Sequence, residues 1–242
     1  MDSIQKKIIT IIDSGIWHPT QRSRESDGAA GETLELLLGI EPNNNKKSDT
    51  PEGEIKTFDR NSTSKITLLS KEPMYQCSVR EDIFNKYSYP DPKSPLDRCC
   101  NIAIKGDRYN NRNLKLEVDY DERRVYMIDK EQGRLSNYWS FESLQQSLQE
   151  KHGQGLLNVG RESRINSARP EYRFTSLTRY ANIEMTNFLS LIEDGTIGVE
   201  LRMRSRSNHR TPWKNRGTAF RIPEQKLPSL YKDTHTIRNI HG

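Results

Sequence analysis

Cysteine is scarce in this 242-residue chain: Cys77, Cys99 and Cys100 are an odd number, two of them adjacent, with no C-x-x-C and no zinc-type histidine spacing. That scarcity excludes a disulfide framework and a structural zinc, and it fits reduced thiols in a cytoplasmic protein. Long apolar runs are missing as well, and nothing approaches the roughly 18 residues that span a membrane. The opening MDSIQKKIITIIDSG carries an acid at position 2, no small-residue cleavage site and a short apolar stretch, so we expect no secretory signal. Acidic residues are absent from 202 to 221, where Arg202, Arg204, Arg206, Arg210, Lys214, Arg216 and Arg221 all fall. From 160 to 242 there are 15 basic residues against 8 acidic ones, whereas the preceding part holds 23 against 25. The net charge of +5 is therefore a C-terminal property, and a polyanion is its natural partner.

The stretch SDTPEGEIKTFDR, residues 48 to 60, contains Asp49, Glu54 and Lys56 in the order Asp-x4-Glu-x-Lys. Residues 54 to 58 alternate polar and apolar after a Pro51/Gly53 turn, which predicts a short strand. Glu54 and Lys56 then share a face, and Asp49 folds back towards them from before the turn. Converging carboxylates need a cation, and oxygen ligands without nearby His or Cys favour Mg²⁺ over zinc. An ammonium beside that metal can orient or deprotonate water, the minimum equipment for phosphodiester hydrolysis. Taken alone, the triplet also describes a charge pair on a solvated edge strand.

Around it the chain reads as a mixed α/β protein. Residues 2 to 14 predict an amphipathic helix, and GETLELLLG (31 to 39) predicts another with Leu34, Leu37 and Leu38 inward. Glu35 sits beside that stripe, so it either pairs with a lysine or belongs to the metal site. SKITLLSKEP (64 to 73) predicts a strand with Lys71 at its far end. Residues 85 to 100, with Pro90, Pro92 and Pro95, predict a long loop. Residues 113 to 129 predict a hairpin, 138 to 151 a helix capped by Ser140 or Ser143, and 155 to 165 a strand and turn. After a helix ending at Asp194-Gly195, residues 197 to 204 alternate apolar and polar positions, and TAFRIP follows as a second strand. A strand, basic loop and strand can enter a DNA major groove, although a solvated basic hairpin has the same pattern.

Six stretches, GETLELLLG, SDTPEGEIKT, SKITLLSKEP, NYWSFESLQQSL, FLSLIEDGTIGVELRMR and RGTAFRIP, resemble in the same order segments of the MvaI/BcnI group of Type II restriction endonucleases, itself related to the nicking enzyme MutH. The resemblance spans about residues 15 to 230. It implies an α/β (α+β) PD-(D/E)xK fold, with a catalytic lobe over 1–165 and a C-terminal DNA-recognition lobe over 166–242 forming a cleft around double-stranded DNA. By motif match Asp49 and Glu54 are the metal ligands, Lys56 is the catalytic lysine, and Glu35 is the acidic residue on the preceding helix. The recognition loop departs from the family: Lys214-Asn215-Arg216-Gly217 stands where relatives carry His-Asp-His-Gly or His-Asp-Arg-Gly. Arg221 keeps its place and is the first base-reading candidate, followed by Arg216 and Lys214, with His209, Arg210, Arg206 and Lys71 as further DNA contacts. The resemblance further implies Mg²⁺, a monomer that nicks each strand in turn at a short CC/GG-flanked site, and a cognate DNA methyltransferase in the same system. A MutH-like repair nickase and a non-catalytic DNA-binding module with structural carboxylates are the alternatives.

Overall fold

The structure is a computed structural model that describes residues 3–20, 28–40, 48–59, 65–74, 79–166, 169–205 and 213–241, without the side chains of 79, 80, 95, 213 and 214. In chain order its elements are α1 (Ile4–Ser14), β1 (His18–Pro19), α2 (Ala29–Leu38), β2 (Glu54–Asp59), β3 (Lys65–Ser70), α3 (Val79–Tyr87), β4 (Tyr89–Asp91) and β5 (Ser94–Ile104). Next come β6 (Leu114–Asp119), β7 (Arg124–Asp129), β8 (Gly133–Ser140), α4 (Phe141–His152), β9 (Leu156–Asn166) and β10 (Arg169–Ile183). The chain closes with α5 (Met185–Glu193), β11 (Gly198–Ser205), β12 (Trp213–Asn215), β13 (Ala219–Pro223), a 3-10 helix (Glu224–Leu230) and β14 (Tyr231–Asn239). No helix among the described residues is long and apolar enough to cross a membrane.

Two compact units form, and they interleave along the sequence: one comprises Met1–Ser64, Gln149–Glu184 and Tyr231–Gly242, the other Lys65–Leu148 and Met185–Leu230. A boundary near residue 165 would cut the ladder between β9 and β10, which runs antiparallel from Arg169↔Asn166 to Tyr180↔Leu156. Strand pairing, which is indifferent to sequence order, overrides the linear division expected from the chain.

In the first unit β10 is the central strand, with β9 on one side and both β1 and β14 on the other. The outer strand β2 runs parallel to β9, pairing Glu54 with Leu156 and Lys56 with Asn158. One face of this sheet is the core: Ile55, Leu157, Val159 and Phe174 pack with Ile8 and Ile12 of α1 and with Leu34 and Leu38 of α2. Because side chains alternate along a strand, Glu54 and Lys56 belong to the opposite face. Leu37 departs from the expected stripe and is exposed. Ala30 and Thr33 instead join Leu34 and Leu38 on the inward face.

The second unit holds a sheet in the order β3-β13-β11-β5-β4, with β12 also on β11, and a separate β6-β7-β8 meander. Its core is aromatic at the centre: Phe220 meets Trp139 edge-on at 5.3 Å and Phe188 at 5.6 Å. The expected loop over 85 to 100 is instead the end of α3 and the β4–β5 hairpin. Pro90 is tolerated because β4 is an edge strand, and Asp91 Oδ1 accepts the Lys93 N–H at 2.8 Å to close the turn after Pro92. The helix expected from residue 138 starts at Phe141, since Tyr138 to Ser140 complete β8. Ser140 Oγ accepts the Ser143 N–H at 3.2 Å, as a cap does.

Candidate active site

The turn that delivers the acidic residues is locked from both sides. Thr50 and Gly53 exchange backbone hydrogen bonds at 3.2 and 3.1 Å, and the Glu52 carboxylate accepts the Ile4 and Gln5 N–H groups at the start of α1. Gly53 adopts φ 137° and lies so close to β9 that a Cβ there would stand 2.6 Å from the Gly155 carbonyl oxygen. No other residue type fits this junction.

Asp49 then folds back as the spacing predicts, and its Oδ2 accepts the Ile55 N–H at 3.0 Å. Its carboxyl is pushed above the usual aspartate range by burial and by the charge of Glu54, with which it is in hydrogen-bond range. Glu54 is 1% exposed and buried in a way a solvated edge strand does not allow. Its Oε1 is in close contact with Lys56 Nζ and lies 3.3 Å from Lys151 Nζ, whereas its buried Oε2 has no hydrogen-bond partner. Glu35, half-buried on α2, completes the electrostatic cluster: burial and then the charge of Asp49 raise its carboxyl, and Lys56 opposes them.

Two acceptor carboxylates side by side, one with an orphaned buried oxygen, repel unless a cation or a proton lies between them. The donor set fits a hard divalent ion such as Mg²⁺, which takes one or two protein carboxylates and completes its shell with water and phosphate. Among the described residues no group of three His, Cys, Asp or Glu side chains is placed to hold a metal ion, and Glu35 stands in the electrostatic neighbourhood of the Asp49–Glu54 pair.

Because the folded pKa values of Asp49 and Glu35 are raised, these groups favour the folded state while protonated, and that advantage is lost as pH rises through their folded pKa values. In EDTA, Asp49→Asn and Glu35→Gln are therefore expected to match the wild type in thermal stability near about pH 4 and to exceed it near about pH 7. A stability difference that does not change with pH in such melts would contradict this assignment.

In the second unit the expected reading residues are distributed unevenly. Arg221 is tied down, donating to Glu200 Oε2 at 3.0 Å and to the Lys65 carbonyl at 2.6 Å. Arg216 is exposed in the short braced turn at 216–218 that separates β12 from β13, both of which pair with β11. Arg202 donates to the Arg216 and Gly217 carbonyls at 3.1 and 3.0 Å, and the Glu72 carboxylate accepts Asn215 Nδ2 at 3.1 Å and the Thr218 N–H at 2.9 Å. Lys214 pairs with Arg204 through the β12–β11 backbone ladder, and its side chain lies outside the described part. Arg206, His209 and Arg210 lie outside the described residues. Lys71 follows β3, with its N–H on the Thr218 carbonyl at 2.9 Å and its own carbonyl accepting Trp139 Nε1, also at 2.9 Å.

A family model for the MvaI/BcnI restriction endonucleases matches residues 5–231. The chain belongs to that family. As a member it is a site-specific deoxyribonuclease with a PD-(D/E)xK core. Two solved structures are similar to it: the complex of restriction endonuclease MvaI with its cognate DNA, at TM-score 0.82 and 27% identity over 97% of this chain and 96% of that one, and MvaI in the absence of DNA, at TM-score 0.58 and 25% identity over 98% and 100%. No protein in the set of curated proteins matches the sequence.

Within this MvaI/BcnI-family chain, three side chains escaped the sequence reading. Lys151 reaches Glu54 because α4 ends just before β9, the parallel neighbour of β2; only the strand pairing connects it to the motif. Arg202 was visible as a basic residue on the polar face of β11, but its role as a brace follows from the turn it holds. Glu72 had no sequence signal beyond following a strand.

Proposed function

We propose that this chain is a Type II restriction endonuclease that hydrolyses double-stranded DNA in a Mg²⁺-dependent reaction, at a short site flanked by CC and GG, as a monomer that nicks each strand in turn. The observation that carries the reading is the convergence of Asp49 and Lys56 on the buried Glu54 carboxylate, whose Oε2 has no hydrogen-bond partner. The similarity to a solved MvaI–DNA complex supports duplex DNA as the ligand.

Asp49 and Glu54 would hold the cation, which when bound neutralises phosphate charge and makes a bound water more acidic. Lys56 leaves Glu54 to position the attacking water in line with the bond from phosphorus to the 3′ oxygen. The water oxygen bonds to phosphorus as that bond breaks, the water's proton passes to solvent, and the leaving oxygen takes one up. The ends are a 5′-phosphate and a 3′-hydroxyl.

Sequence would be read by the braced turn of the second unit. Arg216 leads because its guanidinium is exposed, with Arg221, Lys214, Lys71 and the 206–210 stretch supplying further base or phosphate contacts. Arg216→Ala is expected to lose about 1–3 kcal/mol of discrimination at one base pair, read from kcat/KM on cognate and singly substituted duplexes. An equal loss on every duplex would make it a phosphate contact instead. The enzyme would act in the cytoplasm beside a methyltransferase that protects the host sites, a functional and not a physical partner.

A supercoiled plasmid time course tests the mode of action. Transient open circles that convert to linear DNA, with one protein per duplex in sedimentation, are expected. Direct linearisation by a 2:1 complex would contradict the monomer, and persistent open circles would favour a repair-type nickase.

A further inference from the structure

Two lysines meet one carboxylate oxygen in the first unit. Lys56 Nζ and Lys151 Nζ both contact Glu54 Oε1, while Oε2 is left without a partner. The carboxylate is 1% exposed, and the lysine side chains keep 30% and 24% exposure. A buried carboxylate is costly whenever it lacks compensation, yet one ammonium satisfies one oxygen. The Asp-x4-Glu-x-Lys motif accounts for Lys56 alone, and the mechanism above takes Lys56 away from Glu54 towards the DNA. When Lys56 leaves, the ammonium that remains on Oε1 is that of Lys151. Lys151 comes from the end of α4, outside the motif, and it is placed on that oxygen by the β2–β9 pairing.

We propose that Lys151 is the standing counter-charge of Glu54, a positioning residue that keeps Oε1 compensated when Lys56 departs for the scissile phosphate. The inference rests on the reading of Asp49 and Glu54 as the metal-bearing pair. The second lysine makes the first one available: Lys56 can change partners without leaving a buried anion exposed to its own desolvation cost. Lys151 does not touch substrate in this scheme, and it acts only through Glu54.

The test is a stability cycle in EDTA on the full chain, followed by denaturant unfolding. Lys151→Met is expected to lower the folding equilibrium constant little while Lys56 is present, about tenfold more in a Lys56→Met background, and not at all in a Glu54→Gln background. Lys151→Arg should behave as the wild type. If the double variant does not fold, adding Glu54→Gln should restore folding, because no buried anion then remains; failure of that rescue overturns the proposal. An equal cost of Lys151→Met in all three backgrounds overturns it too. Calorimetric titration with Mn²⁺ separates the two readings: a wild-type chain that binds no Mn²⁺ refutes the metal assignment, whereas Mn²⁺ binding without coupling between the lysines refutes only the role of Lys151.

Discussion

Replacing Lys56 with alanine is expected to lower the cleavage rate by at least about 10²–10³-fold while leaving DNA affinity within a few-fold of wild type. The side chain sits on the polar face of β2, in contact with the Glu54 carboxylate. In the proposed mechanism its removal takes a transition-state contact away and leaves the two carboxylates assigned to the metal in place. The fold should survive, because Lys151 still stands 3.3 Å from Glu54 Oε1. Single-turnover cleavage and a binding titration in Ca²⁺ give the two halves of the result. A Lys56→Ala protein that cuts at the wild-type rate would remove the lysine from the chemistry and with it the site assignment.

Gly53→Ala should fail differently, losing stability and activity together. The backbone there has φ 137°, and the new methyl group would lie 2.6 Å from the Gly155 carbonyl oxygen and 3.0 Å from its carbon. Both atoms are backbone in the β2–β9 junction, so neither can move aside cheaply. A cost of about 2–4 kcal/mol is expected, well above that of an ordinary surface substitution. Because the Glu54 N–H donates to the same Gly155 carbonyl at 3.0 Å, relief of the clash must shift the residue that carries the site. Denaturant unfolding at fixed Mg²⁺ measures the loss. A Gly53→Ala protein of wild-type stability would show that this close approach is not maintained in solution.

These two substitutions mark what could and could not be read from the chain. Asp49, Glu54 and Lys56 were legible because a strand's two-residue period and one tight turn are local, and local spacing survives folding. The helices α1 and α2 were legible for the same reason, through their apolar stripes, although Leu37 of α2 turns outward. Lys151 was not, because nothing in the sequence says that β9 will lie parallel to β2. The prolines at 90 and 92 pointed to a loop, and the edge position that lets β4 accept Pro90 exists only once the sheet has formed. The interleaving of the two units had the same origin: a hairpin across residue 165 and a return of β14 to β10 are pairings that a reading in order does not contain. The basic character of 202–221 was legible as charge, but not its division of labour. Only hydrogen bonds reveal that Arg202 and Glu72 brace a turn on which Arg216 is presented.

In the proposed function the carboxylate pair and its lysine form a metal-dependent, sequence-specific DNA-cutting site. A digest of a long, fully sequenced duplex by the purified protein with Mg²⁺, run beside an EDTA control and mapped by end sequencing, tests it most directly. Discrete fragments that share one end sequence, and no cutting in EDTA, are the predicted result. DNA that is bound but stays intact with either Mg²⁺ or Mn²⁺ would contradict it, and Asp49, Glu54 and Lys56 would then be no more than a structural charge cluster.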